Sequence, residues 1–130
     1  MKEGFTILIA DRNPHVRKLL EREITAEGYR VRLAKNARDV LEWVYHYEPL
    51  DLLILDPDLP DAEDMSMLKK LNNRIPVLPV IVHGYLTDDA GHSAVLKPAV
   101  FVEKRGSSIE YLKKVISDIL KKSGPQKVNP

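Results

Sequence analysis

Asp51-Leu52-Leu53-Ile54-Leu55-Asp56-Pro57-Asp58 is the stretch on which the fold of this chain turns. Four aliphatic residues closed by an acid at each end are too short for a buried helix. They also lack polar alternation, so they read as a strand covered on both faces, the signature of the inside of a parallel sheet. Moving outward, FTILIA from Phe5, VLPVIV from Val77 and AVFVEK from Ala99 have the same length and character. YRVRLA from Tyr29 differs: Tyr29, Val31 and Leu33 alternate with Arg30, Arg32 and Ala34, which predicts a strand at the sheet's edge with one wet face. The five runs recur at intervals of about two dozen residues, room for one helix between each pair.

The intervening segments carry helical period. Asn13 and Pro14 form an N-cap and first-turn proline, Val16, Leu19, Leu20 and Ile24 share a face, and Gly28 stops the helix. A second helix is expected from about Asn36 through Val40, Leu41, Val44 and Tyr45 to a stop before Pro49, and a third, shorter one carrying Met65, Leu68 and Leu71. Thr87 to Leu96 reads as a short helix weakened by Gly91. The last begins with the capping-box spacing Ser107-x-x-Glu110 and buries Ile109, Leu112, Ile116, Ile119 and Leu120, with Lys113, Lys114, Lys121 and Lys122 left to water. Strands alternating with helices imply right-handed crossovers, and the two-sided runs belong at the centre. The expected fold is α/β, a doubly wound five-stranded parallel sheet of order 2-1-3-4-5.

Composition narrows the function classes. The 130 residues have no cysteine, 44% apolar and 30% charged residues and a net charge of +1. Thiolate and disulfide chemistry are excluded, and no overall basic field attracts nucleic acid or an anionic membrane. The N-terminal apolar run is too short for a signal peptide or a membrane span, so a cytoplasmic protein is expected. Residues 1–122 read as one domain and 123–130 (SGPQKVNP) as a tail or linker stub.

In such a sheet ligands sit beyond the carboxyl ends of the strands, near the switch between the first and third. The polar residues fall there: Asp11 and Arg12 after the first strand, Asp56 and Asp58 after the third, His83 and Gly84 at the end of the fourth, and Lys104 after the fifth. Carboxylates gathered with a lysine can hold a hard cation and meet phosphoryl charge. His83 reads as a strand-end residue rather than a ligand, and Asp61, Glu63 and Asp64 as a solvated acidic loop opening a helix. Trp43, Tyr45 and Tyr47 read as helix packing, since no basic groove accompanies them.

The pattern ILIADRNP, then LLILDPDLP, then FVEKR resembles the receiver domain of two-component response regulators, over about residues 5 to 122. The resemblance implies a flavodoxin-like fold, as in the chemotaxis protein that serves as a standard example of this strand order. It implies that Asp56 accepts a phosphoryl group from a histidine kinase or phosphotransfer protein, with Mg²⁺ held by Asp11, Asp56 and the main-chain carbonyl of Asp58. Lys104 would reach the acyl phosphate, Gly84 and Phe101 would occupy the switch positions, and a downstream protein would read the state. A second copy of the chain is a further candidate partner; nucleic acid and membrane are not expected, and the module is not an enzyme.

Three departures matter. Arg12 stands where the family has a second acid, Gly84 where it has a hydroxyl, and Arg105 where a proline follows the lysine. A unit charge at about 4 Å is worth about 4 kcal/mol at an effective dielectric near 20, so exchanging a carboxylate for a guanidinium disfavours Mg²⁺ by several kcal/mol if Arg12 stays in the pocket. There its planar fork would suit a bidentate pair with Asp56, while Asp58 could supply a side-chain oxygen to the metal. Two readings stay open: phosphorylation with weakened metal dependence, or a pseudo-receiver that binds partners through the face around the fourth helix, fifth strand and last helix. The DPD sequence also matches the opening of haloacid dehalogenase-type phosphatases, but two strand-helix units precede it. Flavin binding fits worse, because DRNP places an acid where a phosphate-cradling loop needs bare amides.

Overall fold

The computed structural model describes residues 4–46, 49–63, 66–85, 99–105 and 108–123. In chain order the elements are β1 (Thr6–Ala10), α1 (Pro14–Ala26), β2 (Arg30–Ala34), α2 (Ala37–His46), β3 (Leu52–Leu55), α3 (Met67–Asn72), β4 (Val80–Gly84), β5 (Ala99–Glu103) and α4 (Ser108–Ser123). The five strands form one parallel sheet ordered β2-β1-β3-β4-β5. β2 lies at the edge as its alternation predicts, and β1 and β3 are buried throughout.

The pleat sends neighbouring residues to opposite layers. Ile7, Ile9, Leu52, Ile54 and Ile81 pack under α1 and α4 against Leu20, Ile24, Leu112, Ile116 and Leu120. Leu8, Ala10, Leu53, Leu55, Val80 and Val82 pack under α2 and α3 against Val40, Leu41, Val44, Met67 and Leu71. Each fully buried aliphatic side chain contributes about 1.5–3 kcal/mol, and β3 supplies two to each layer. A one-residue slip of this strand would exchange them between layers. Register therefore holds the strand ends level: Ala10 pairs with Leu55, and Leu55 with Val82.

The helices follow their sequence signals with some corrections. Asn13 caps α1, its side-chain oxygen accepting from the N–H groups of His15 and Val16. Met67 and Leu71 are the buried residues of α3, with Leu68 half-buried; Met65 lies outside the described residues, as do Asp64, Tyr47, Thr87–Leu96, Ser107 of the expected capping box and the tail beyond Ser123. Asp61 does not open α3. It accepts from the N–H groups of Ala37 (2.6 Å) and Arg38 (3.2 Å), capping α2 from the turn that follows β3. Lys113, expected in water, is only 16% exposed because Glu23 and Glu27, from α1 and its cap, close over it. Trp43 packs against the core with Arg32 over its ring.

Candidate functional site

At the carboxyl edge the first residue after each of two adjacent central strands is a buried aspartate. Asp11 continues β1, its N–H donating to Ala34 O at 3.1 Å, and Asp56 continues β3, its N–H donating to Ala10 O at 2.8 Å. These ladder bonds hold both backbones, so both carboxylates face the same cup. Lys104 extends β5 in the same way, its N–H donating to Gly84 O at 2.7 Å.

Lys104 Nζ lies 2.9 Å from Asp11 Oδ2 and 3.8 Å from Asp56 Oδ2, with its side chain 10% exposed. Asp11, Asp56 and Lys104, drawn from three strands, therefore share one cup. The ammonium's closer partner is Asp11, whose other oxygen accepts from Asn13 N–H at 2.9 Å. Burial raises the Asp11 pKa above the ordinary value, against the lowering pull of Asn13 N–H and Lys104.

Asp56 has both oxygens engaged by its own neighbourhood: Oδ1 accepts from Asp58 N–H and Oδ2 from Arg12 N–H, each at 3.0 Å. The bidentate pair with Asp56 that the fork of Arg12 would suit is not formed. Arg12 Nε lies 3.5 Å from Asp56 Oδ2 while Nη1 binds the Asp58 carboxylate and approaches the Asp58 main-chain carbonyl at 3.4 Å. Arg12 thus bridges the two acids after β3, its side chain 41% exposed. Both Asp58 oxygens assigned to a metal on sequence grounds, carbonyl and carboxylate, are in contact with a guanidinium. Asp11 is likewise taken by Lys104. Among the described residues no cluster of three His, Asp or Glu side chains could hold a metal ion. The expected trio Asp11, Asp56 and Asp58 does not offer Mg²⁺ a ready set of oxygens in this arrangement.

The two residues expected at switch positions lie on β4 and β5. Gly84 ends β4, contributing only backbone there, and Phe101 is half-buried on β5 against the layer under α2 and α3. His83 is buried at 3% exposure, and neither ring nitrogen has a hydrogen-bond partner among the described residues. Its pKa is pushed down to about 4, chiefly by burial and then by the charge of Lys104. A histidine inside an otherwise aliphatic strand, VIVHG, was the available signal for this burial. Tyr85 lies under the ammonium, 5.7 Å from Lys104 Nζ to the ring centroid, a cation–π contact that nothing in the sequence pattern marks.

Residues 7–116 match the response regulator receiver domain, a span that contains every residue of the cup. The chain belongs to the response regulator receiver family. This receiver is 37% identical over 82 residues to the DNA-binding transcriptional regulator NtrC of Proteus hauseri, covering 63% of this chain and 17% of that protein. It is 35% identical over 89 residues to response regulator RR06 of Streptococcus pneumoniae, covering 68% of this chain and 40% of that one. It thus spans well under half the length of either relative. Among solved structures, response regulator TrrA of Thermotoga maritima, in complex with Mg²⁺ and beryllofluoride, aligns with a TM-score of 0.75 at 23% identity, covering 89% of this chain and 99% of TrrA; at that identity the likeness concerns the fold. No helix among the described residues of the receiver is long and apolar enough to cross a membrane.

Proposed function

We propose that this receiver takes a phosphoryl group on Asp56 from a histidine kinase or phosphotransfer protein and passes the resulting state to a downstream protein. The observation that carries the reading is the convergence of Asp11, Asp56 and Lys104 at one rim, with Lys104 Nζ within 3.8 Å of both carboxylates. An Asp56 oxygen bonds to phosphorus as the phosphorus–nitrogen bond of the phosphohistidine breaks, and the imidazole leaves with a proton. Lys104 then turns from Asp11 toward the new phosphoryl oxygens. Because it extends β5, that turn is felt along the strand that carries Phe101, the residue we assign to the switch; at Gly84 only backbone is available to follow. The unit, residues 1–122, works in the cytoplasm as a signalling module without enzymatic turnover. Mg²⁺ binds it weakly, since it must displace Arg12 from Asp58.

Incubation with phosphoramidate and Mg²⁺ followed by intact-mass measurement tests the reading. One added phosphoryl group on the native chain and none on Asp56→Ala is the expected result; equal labelling of both removes Asp56 as acceptor. The Arg12 bridge and the missing hydroxyl at Gly84 favour a second reading, a pseudo-receiver working without phosphate, which an unlabelled native chain would support. Sustained hydrolysis of phosphate esters would instead point to an enzyme.

A further inference from the structure

With Asp56 read as the acceptor, Arg12 stands beside the reacting carboxylate. Arg12 begins inside the site, because its main-chain N–H donates to Asp56 Oδ2 at 3.0 Å. Its guanidinium is then fixed by Asp58, with Nε 3.5 Å from that same Asp56 oxygen. Asp56 Oδ2 therefore lies between an ammonium at 3.8 Å and a guanidinium at 3.5 Å. A guanidinium keeps its charge at every working pH, and its planar fork matches phosphoryl oxygens as well as carboxylates. Positive groups held where charge gathers on a transferring phosphoryl group are the main source of catalysis for that step. Replacing Arg12 by aspartate would change the charge of the cup by two units, the charge of one divalent cation. The oxygens that such a cation would need at Asp58 are the ones Arg12 occupies.

We infer that Arg12 is the built-in cation of this site and frees phosphoryl transfer to Asp56 from any requirement for a divalent metal. With phosphoramidate in its N-protonated form, an Asp56 oxygen bonds to phosphorus as the phosphorus–nitrogen bond breaks, and ammonia leaves carrying the bonding pair. Lys104 and Arg12 face the phosphoryl oxygens throughout, and no proton need come from the protein.

The experiment is a labelling time course with phosphoramidate, read by intact mass, in excess chelator and in Mg²⁺, for the native chain, Arg12→Asp, Arg12→Gln and Asp56→Ala. The native chain is expected to label at rates within about threefold of each other in the two conditions, whereas Arg12→Asp labels about tenfold or more faster with Mg²⁺ than without. Arg12→Gln, which removes the charge while keeping a polar side chain, is expected to label slowly in chelator. Calorimetric titration with Mg²⁺ provides a readout independent of labelling: Arg12→Asp should bind the ion at least about tenfold more tightly than the native chain. Native labelling that needs Mg²⁺ overturns the inference and leaves the acceptor reading standing, as does metal-independent labelling of Arg12→Asp. No labelling in either condition, or labelling that survives Asp56→Ala, overturns both.

Discussion

Asp51 and Asp56 bracket the same strand, and both are almost completely buried, at 4% and 1% exposure. At the amino end of β3, Asp51 is closed into a reciprocal pair with β1: Thr6 N–H donates to Asp51 Oδ2 and Asp51 N–H to Thr6 O, both at 2.8 Å. Asp56, at the carboxyl end, holds two amides from the turns that leave β1 and β3, and two cations converge on it from β1 and β5. Burial is therefore not what makes a carboxylate a candidate acceptor. In a parallel sheet the residues after each strand end face one crevice, and only at that edge do side chains from separate strands meet. The amino edge offered Asp51 a neighbouring backbone and a structural task.

Substituting the two aspartates should separate those tasks by the widest margin available in the molecule. Asp56→Ala is expected to abolish phosphoramidate labelling, read by intact mass, while costing less unfolding free energy than Asp51→Ala, because the two amides it releases belong to the exposed residues Arg12 and Asp58 and are only part-buried. Lys104 keeps Asp11, and the repulsion by which Asp56 helps raise the Asp11 pKa disappears. Asp51→Ala is expected to lose about 3 kcal/mol in urea unfolding, because it leaves the buried Thr6 N–H without its acceptor. Below its melting range that variant should still label on Asp56. Loss of labelling in a folded Asp51→Ala chain would end the division between a structural and a reactive edge.

Much of this was legible in the sequence, and the boundary of legibility is physical. Continuous aliphatic runs at Phe5 and Leu52 against the alternating run at Tyr29 were enough to order the sheet, because facing layers leave a period in the sequence. The same order put Asp11, Asp56 and Lys104 at one rim. What periodicity does not carry is the choice a long side chain makes among oxygens within reach. Arg12 divides itself between Asp58, bound through Nη1, and Asp56, met by its backbone N–H and its Nε. Asp61 caps a helix that begins 24 residues earlier in the chain, a contact fixed only once β3 has packed. Lys113 lies next to Lys114 on α4 yet is covered, while Lys114 stays 72% exposed, because the carboxylates over Lys113 belong to a different part of the chain.

His83 sharpens the contrast from the carboxyl edge inward, with a smaller effect. In the unfolded chain its imidazole takes a proton near pH 6.5; in the folded chain the value is pushed down to about 4 by burial and Lys104, with Asp56 pulling weakly the other way. Between those values the unfolded chain binds a proton that the folded chain refuses. The folded state is therefore favoured fully above about pH 6.5 and loses that advantage as pH falls toward 4. Urea unfolding at about pH 7.5 and about pH 5 should show a loss of about 2 kcal/mol from this group. His83→Leu, which also removes two nitrogens without a hydrogen-bond partner among the described residues, should show a smaller acid loss and at least equal stability at the higher pH. Equal acid losses in both proteins would mean that the imidazole is solvated or partnered in solution.

The smallest expected effect lies where α4 meets α1. Lys113 Nζ is 2.9 Å from Glu23, 3.4 Å from Glu110 and 3.7 Å from Glu27, so one ammonium holds three carboxylates. The hydrogen bond between them raises the Lys113 pKa and, with Arg22, keeps Glu23 below the usual carboxylate range. Lys113→Met keeps most of the stem and removes the charge, leaving the three acids to repel one another. Glu23 retains Arg22 at 3.0 Å, which limits the loss. The melting temperature should fall slightly, and by less at high salt, where such partly exposed pairs are screened. Because a lowered carboxylate pKa stabilises above its unfolded value and is lost as pH falls through the folded one, the difference from the native chain should persist through the upper part of the range where His83 titrates. It should fade only below the ordinary glutamate pKa of 4.5. Convergence of the two melting curves already near pH 6 would assign the acid response of this helix pair to some group other than Glu23.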